Sequence, residues 1–180
     1  MLVGRRRFLV GSLGGAAIAG LGAGGRIAAA ATEPAHRLSF YNIHTAEKLD
    51  VTYREHGALI PAALTEINHY LRDFRTEQSH DIDVALLDAL HDLYVAFDGR
   101  GNFEVISGYR SPRTNAALRH VTTGVAENSL HIQGRAIDVR LTSAKTIALR
   151  DAAIALECGG VGYYPESNFV HVDTGEFRTW

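Results

Sequence analysis

The feature that most constrains the fold is a sharp change of composition at residue 31. Residues 1–31 contain eight glycines, eight alanines, four arginines and no acidic residue. Residues 32–180 carry 14 basic and 20 acidic side chains, a net charge of −6. A folded domain must therefore come from the second segment, which is long enough to bury one substantial core without disulfide bonds. Its ordinary, acidic composition argues against a disordered chain and against a nucleic-acid partner.

The first segment has the pattern of an export signal. Gly4-Arg5-Arg6-Arg7-Phe8-Leu9-Val10 places a basic pair and Phe-Leu before a glycine-rich, weakly apolar stretch, which resembles a twin-arginine signal. The alanines at 28–31 supply an Ala-x-Ala site, so cleavage is expected before Thr32. So many glycines suit a membrane span poorly, although an uncleaved anchor stays open. This signal implies the twin-arginine translocase as a partner, a periplasmic location and no stable membrane span after cleavage.

The single cysteine, Cys158, cannot form an internal disulfide, even in an oxidising compartment. It follows the apolar residues Ile154 to Leu156, which predicts a small buried side chain rather than a nucleophile. The stability of the domain is therefore expected to come from its core.

Hydrophobic periodicity predicts one domain of mixed strands and helices without an internal linker. Alternation in residues 38–40 and 49–53 predicts an N-terminal β-hairpin. Pro61 is expected to open the first helix, Asp81 or Asp83 to cap the second, and Ser111 to cap the third. The four predicted helices cover 61–74, 86–97, 112–118 and 143–156, and the later strands cover 103–106, 136–141, 161–164 and 169–173. The order predicts an α+β fold, with helices packed on a small, mostly antiparallel sheet in the C-terminal half.

Two of these strands place polar side chains opposite apolar ones. In the strand 136–141, Asp138 lies on the face opposite Ile137 and Val139, and in the strand 169–173 His171 and Asp173 lie opposite two valines. A carboxylate on an otherwise apolar strand face requires a partner. If the strands are neighbours, the side chains of Asp138 and His171 project together.

His131 completes a possible metal site, because it lies in a turn just before the first of these strands. Together, His131, Asp138 and His171 would supply three ligands and leave the fourth position of a zinc ion for water. A buried histidine–aspartate pair without metal is the alternative, and the residues alone leave both open. A second pair at the same spacing, His91 and Asp98, has no other polar residue converging on it and is interpreted as a surface feature.

The C-terminal half resembles known zinc peptidases. The pattern Ser-x-His-x-x-Gly-x-Ala-x-Asp at residues 129–138, with His171 downstream, is similar to the D-Ala-D-Ala carboxypeptidase/dipeptidase and hedgehog-like superfamily. Longer ungapped stretches resemble its murein endopeptidase K-like branch over nearly the whole of residues 32–180; they are 106–112, 124–126, 159–165, 171–175 and Arg178-x-Trp180. The resemblance implies a hedgehog/D,D-peptidase-like α+β domain spanning 32–180, with zinc bound on its sheet.

The resemblance also implies an activity and roles for single residues. The domain would hydrolyse amide bonds in peptidoglycan cross-links, with stem peptides as substrates and Zn²⁺ as cofactor. The zinc ligands fall on His131, Asp138 and His171. Arg110 would bind the substrate carbonyl or the developing oxyanion, with a surface salt bridge as the alternative. Ser129 would either orient a ligand or cap the turn.

The general base is the one role that the resemblance does not transfer. Other branches place an acid or a histidine two or three residues before the last ligand, where this chain has Phe169 and Asn168. Asp173 is the best candidate base, or else it is the hydrogen-bonding partner of a ligand histidine, and Glu166 is less favoured than either. Two alternative functions follow: a non-catalytic wall-binding or regulatory domain that keeps structural zinc, and a carboxypeptidase that trims stem peptides.

Overall fold

The computed structural model describes residues 34–122 and 125–180. The predicted export signal, its cleavage position and Gly124 therefore lie outside the described residues. Among the residues that it does describe, none of the helices has the length and apolar character needed to span a membrane. The strands are β1 (His36–Asn42), β2 (Lys48–Glu55), β3 (Ala58–Leu59), β4 (Phe103–Ser107), β5 (Ala136–Leu141), β6 (Gly160–Tyr164), β7 (Phe169–Asp173) and β8 (Arg178–Thr179). The helices are α1 (Pro61–Tyr70), α2 (Val84–Ala96), α3 (Pro112–Val121) and α4 (Thr146–Leu156), with a 3-10 turn at Leu130–Gln133.

All eight strands form one mixed sheet in the order β3-β2-β1-β4-β5-β7-β6-β8. Among the strands of the described residues, only the pairs β1–β4 and β6–β8 are parallel, so the predicted α+β fold with a mostly antiparallel sheet is confirmed. The sheet extends beyond the C-terminal half, because the N-terminal hairpin joins it through the parallel pairing of β1 with β4.

The strand alternation divides the sheet into a covered face and an open face. Apolar residues such as Leu38, Phe40 and Val139 are fully buried and pack with helices α1, α2 and α4 in one core. The alternate residues of the central strands, such as Glu104 and Arg140, are partly exposed. Since side chains alternate between faces, Asp138 and His171 lie on the open face, although both are buried there.

The helix boundaries differ from the prediction by three or more residues at three places, and α2 differs by one or two residues at its ends. Helix α1 ends at Tyr70 rather than at residue 74, because the Asp73 carboxylate accepts hydrogen bonds from the backbone N–H groups of Ser111 and Arg75 and holds the chain in a loop. Helix α3 continues three residues further than predicted, to Val121. Helix α4 starts at Thr146 rather than at residue 143.

Caps are confirmed at two of the helices. The side chain of Asp83, and not that of Asp81, caps α2 by accepting from the N–H of Ala85. Ser111 caps α3 by accepting from the N–H of Thr114, and Pro112 follows as its first residue. Because Ser111 comes directly after Arg110, this cap fixes the start of α3 beside the candidate site.

Candidate metal centre

The sheet register brings together the three residues predicted as metal ligands. Strands β5 and β7 are neighbours, and Asp138 pairs directly with His171. His131 projects from the 3-10 turn, which ends at Gly134 in the left-handed conformation with φ 66°. One ligand atom from each of the three side chains lies within 4.8 Å of the other two. All three side chains are buried or nearly so.

Each imidazole directs one nitrogen toward the other ligands. The Nδ1 atom of His171 is 2.8 Å from Asp138 Oδ1 and 3.3 Å from His131 Nε2. The outer nitrogens have acceptors, because His131 Nδ1 donates to the Gly108 carbonyl at 2.8 Å and His171 Nε2 lies 2.9 Å from Asp173 Oδ2. Hydrogen bonds at the outer nitrogens fix the tautomer and leave the inner lone pairs for a metal. The donor set therefore fits a zinc ion.

The charges of the cluster also suit a cation. Burial acts to raise the pKa of Asp138, but the two nearby histidines outweigh it and hold that pKa far below its usual range. Burial acts to lower the pKa of His171, whereas hydrogen bonds to Asp138 and Asp173 raise it to about 9. The centre of the cluster thus favours a positive charge, which a proton or a metal ion can supply.

Asp173 lies behind His171 and is fully buried. Its Oδ1 accepts from the N–H groups of Gly160 and Gly175 at 2.9 and 2.8 Å, and its Oδ2 lies 2.7 Å from Arg178 Nη2. Burial acts to raise the pKa of Asp173, but its hydrogen bonds, first that of His171, hold the pKa far below the usual range. A carboxylate held by so many donors is a weak proton acceptor. This geometry favours the role of histidine partner over that of general base.

Arg110 lies beside the ligands rather than in a surface salt bridge. Its Nη2 is 3.6 Å from Asp138 Oδ2 and 3.3 Å from Ser107 Oγ, and its Nη1 is 3.5 Å from Asn115 Oδ1. Burial lowers its pKa, although Asp138 opposes the effect. Its buried Nε has no hydrogen-bond partner within the described residues. The guanidinium thus contacts Asp138 through Nη2, and its Nε is a buried donor without a partner in the described residues.

The ligands open onto a cavity of about 260 Å³. Three aromatic side chains line it, Tyr164, Phe169 and Trp180. Among the described residues, Asp138 and Asp173 are the only acids that line it. Ser129 also lines the cavity, and its side chain makes no capping hydrogen bond within the part of the chain that the structure describes. Glu166 is exposed in the turn between β6 and β7, outside the cavity lining.

The remaining sequence candidates lie away from the cavity. His91 stacks on His36 with ring centroids 4.2 Å apart, and Asp98 is exposed after α2. Cys158 is half-buried against the core, and burial raises the pKa of its thiol, which is typical of an unreactive cysteine.

Sequence reasoning missed two groups that surround the ligand histidines. One is the Gly108 carbonyl, which carries no sequence signal because it is a backbone atom. The other is Arg178, which the sequence analysis noted only as part of a resemblance. A signal for Arg178 is the pair of glycines at alternate positions of β6, Gly160 and Gly162, which indicates that other side chains cross that strand.

Comparison with known proteins identifies close relatives. The family described as peptidoglycan L,D-endopeptidase MepK matches residues 29–180. A protein named probable peptidoglycan L,D-endopeptidase MepK, from Haemophilus influenzae, is 44% identical over 144 residues, which cover 79% of this chain and 77% of that protein. Peptidoglycan L,D-endopeptidase MepK from Escherichia coli K12 is 40% identical over 143 residues, which cover 79% of this chain and 79% of that protein. The protein of the same name from Shigella flexneri has the same identity and coverage.

Proposed function

Because the chain belongs to the peptidoglycan L,D-endopeptidase MepK family, we propose that it is an exported zinc metallopeptidase that hydrolyses amide bonds in the peptide cross-links of peptidoglycan. The observation that carries this proposal is the convergence of His131, Asp138 and His171 beside Arg110 in an open cavity. The names of the relatives specify an L,D bond, and we extend that bond type to this chain. The stem peptides of the cell wall are then its substrates.

The proposed roles follow from the contacts of each side chain. His131 would bind zinc through Nε2, His171 through Nδ1 and Asp138 through a carboxylate oxygen, which leaves one position open. The ion would supply a Lewis acid that polarises the scissile carbonyl and lowers the pKa of a water molecule toward ~7. Arg110 would donate to the carbonyl oxygen as negative charge develops there. Contacts with Ser107 and Asn115 orient the guanidinium of Arg110 for this role.

We assign Asp173 to orienting His171. Its carboxylate lies on the side of the imidazole away from Asp138, and four groups donate to it. Asp138 is needed as a ligand, so within the described residues no acid lining the cavity is left to act as a separate base. This last observation also supports the second candidate function, a wall-binding or regulatory domain that keeps zinc for stability.

Digestion of isolated sacculi separates these functions. The zinc-loaded protein should convert cross-linked muropeptides into uncross-linked ones, and His171→Ala should abolish the conversion. His91→Ala is the matched control, because it removes a histidine far from the cavity and should keep full activity. A zinc-loaded wild type that releases nothing would contradict the enzyme and favour the wall-binding domain. Release of single D-Ala residues without loss of cross-links would instead identify a carboxypeptidase.

We also propose export by the twin-arginine route, with cleavage after Ala31 and a periplasmic product. The support is the sequence of residues 1–31 and the cell-wall substrate named for the relatives. In cells, the double change Arg5→Lys and Arg6→Lys should leave the uncleaved precursor in the cytoplasm. Arg26→Lys, in the same segment, is the control and should export normally. Equal export of the double variant would contradict the route.

A further inference from the structure

Strand β8 and the residue after it lie against the candidate site, and the proposed chemistry gives them no role. β8 pairs in parallel with β6, which sets Arg178 opposite Gly160. The N–H of Trp180 donates to the Val161 carbonyl, and the Trp180 carbonyl accepts from the N–H of Tyr163. The backbone of this segment is therefore fixed, and its two long side chains cross β6 toward the metal ligands.

Two glycines of β6 leave the space for this crossing. A Cβ atom at Gly160 would overlap Arg178 and would lie 2.6 Å from Asp173 Oδ2. A Cβ atom at Gly162 would lie 2.6 to 2.8 Å from three atoms of the Trp180 indole. Neither glycine has a positive φ. Close approach of these side chains, and not a special backbone conformation, therefore accounts for both glycines.

Arg178 supports the outer side of His171 through Asp173. Its Nη2 lies 2.7 Å from Asp173 Oδ2, and its Nη1 lies 3.2 Å from Oδ1, so it contacts both carboxylate oxygens. The Oδ2 atom is also the one that lies 2.9 Å from His171 Nε2. Asp173 is completely buried, whereas the Arg178 side chain is 47% exposed, so the arginine neutralises the buried carboxylate from the solvent side.

Trp180 lies beside the same imidazole, with its ring tilted against it. Its ring centroid lies 5.3 Å from that of His171, at an interplanar angle of 48°. The indole Nε1 donates to the Tyr164 hydroxyl at 2.8 Å, and the Arg178 guanidinium lies 5.1 Å from the indole centroid. The indole is thus held by a hydrogen bond and a cation–π contact, and its ring limits the rotation of His171 about its side-chain bonds.

We propose that Arg178 and Trp180 form a brace that holds His171 with Nδ1 directed at the metal, an inference that rests on the proposed function. We name this pair the β8 brace. Both are positioning residues, because they act through His171 and Asp173. The general effect of such outer partners on metal affinity or activity is about 10- to 100-fold. We expect loss of the brace to weaken zinc binding more than it weakens the fold.

Zinc affinity, measured by competition with a chromophoric chelator on the purified protein, tests the brace. Arg178→Gln and Trp180→Ala should each weaken zinc binding about 10- to 100-fold. Arg178→Lys should recover part of the loss, because lysine keeps the charge but not the planar fork. The lower affinity should also appear as a lower kcat at subsaturating zinc.

Two matched controls exclude a general effect of losing a surface side chain. Arg150 also pairs with a carboxylate, that of Asp151, and lies 5.0 Å from the ring centroid of Tyr163, so Arg150→Gln removes the same kind of contacts elsewhere. Phe177 is 50% exposed, against 51% for Trp180, and does not line the cavity. Arg150→Gln and Phe177→Ala should bind zinc as the wild type does.

The outcomes distinguish the brace from the proposed function. Wild-type affinity in both Arg178→Gln and Trp180→Ala overturns the brace and leaves the zinc site standing. Failure of the wild type to bind zinc, or equal binding by His171→Ala, overturns the proposed zinc site itself. Thermal unfolding of the metal-free proteins shows whether a variant still folds. If Arg178→Gln does not fold, the zinc affinity of Arg178→Lys tests the role of Arg178 instead. Unchanged zinc affinity in that variant overturns this role.

Discussion

The two imidazoles of the candidate centre have different hydrogen-bond partners, and this difference decides how strongly the surroundings affect the basicity of each imidazole. His131 donates to a neutral backbone carbonyl at Gly108, whereas His171 lies against the ionised carboxylate of Asp173. A carboxylate partner raises the basicity of an imidazole ligand more than a carbonyl does. His171 is therefore the ligand whose strength depends most on its surroundings.

The change Asp173→Asn separates the two roles considered for this residue. It keeps the shape but removes the charge behind His171, so zinc affinity should fall by about 10- to 100-fold, together with activity. The same chelator competition measures it, with the exposed Asp151→Asn as control. Loss of activity at unchanged zinc affinity would contradict the partner role and restore the general base.

Arg110→Lys tests the proposed contact with the substrate carbonyl. Lysine cannot reproduce the several fixed donors of the guanidinium, so kcat/KM on a defined cross-linked muropeptide should fall by about 10²- to 10³-fold, as when one oxyanion donor is lost. Zinc affinity should stay within a few-fold of the wild type. A parallel fall in zinc affinity would show instead that Arg110 supports Asp138.

At the scale of single elements, strands β5 and β7 supply Asp138 and His171, and the 3-10 turn supplies His131. The alternation of β5 and β7 predicted that Asp138 and His171 project together if the strands are neighbours, and the observed register pairs the two residues directly. The role of Asp173 as the partner of His171 was already one of the two roles predicted for that residue. The carbonyl of Gly108 and the side chains around β8 were not predicted, because the first is a backbone atom and β8 is a strand of two residues, too short to give a periodic pattern.

The attachment of α3 depends on the buried carboxylate of Asp73. Burial acts to raise its pKa, but hydrogen bonds from Ser111 and Thr114 outweigh this and lower the pKa to about 2. A carboxyl group whose pKa is lower in the folded state adds stability that is complete above its unfolded pKa, about 4, and is lost as the pH falls toward 2. Asp73 therefore stabilises the loop before α3 at neutral pH.

Asp73→Asn should lower the free energy of unfolding by about 1–3 kcal/mol near pH 7, the cost of weakening buried charged hydrogen bonds. The difference between variant and wild type should shrink as the pH falls from about 4 to about 2. Urea unfolding of both proteins across this range measures it. A difference that is constant with pH would show that packing, and not the charge of Asp73, supports the loop.

At the scale of the whole domain, the two faces of the sheet have different roles. One face carries the core with three helices, and the other carries the candidate metal centre with the cavity. The fold class and most strands could be predicted because each leaves a local hydrophobic pattern. How the hairpin joins the sheet could not be predicted. The parallel pairing of β1 with β4 links residues about 60 positions apart, and such a distant pairing leaves no local pattern in the sequence.

The most direct test of the central claim uses a purified muropeptide dimer with a defined L,D amide bond. The zinc-loaded protein should convert it into two monomers, with the mass of one water added in total, and a chelator or His171→Ala should stop the reaction. Mass spectrometry of the products, with one equivalent of zinc bound, measures this. An intact dimer in the presence of the zinc-loaded wild type, or equal cleavage by His171→Ala, would contradict a peptidase that works through His131, Asp138 and His171.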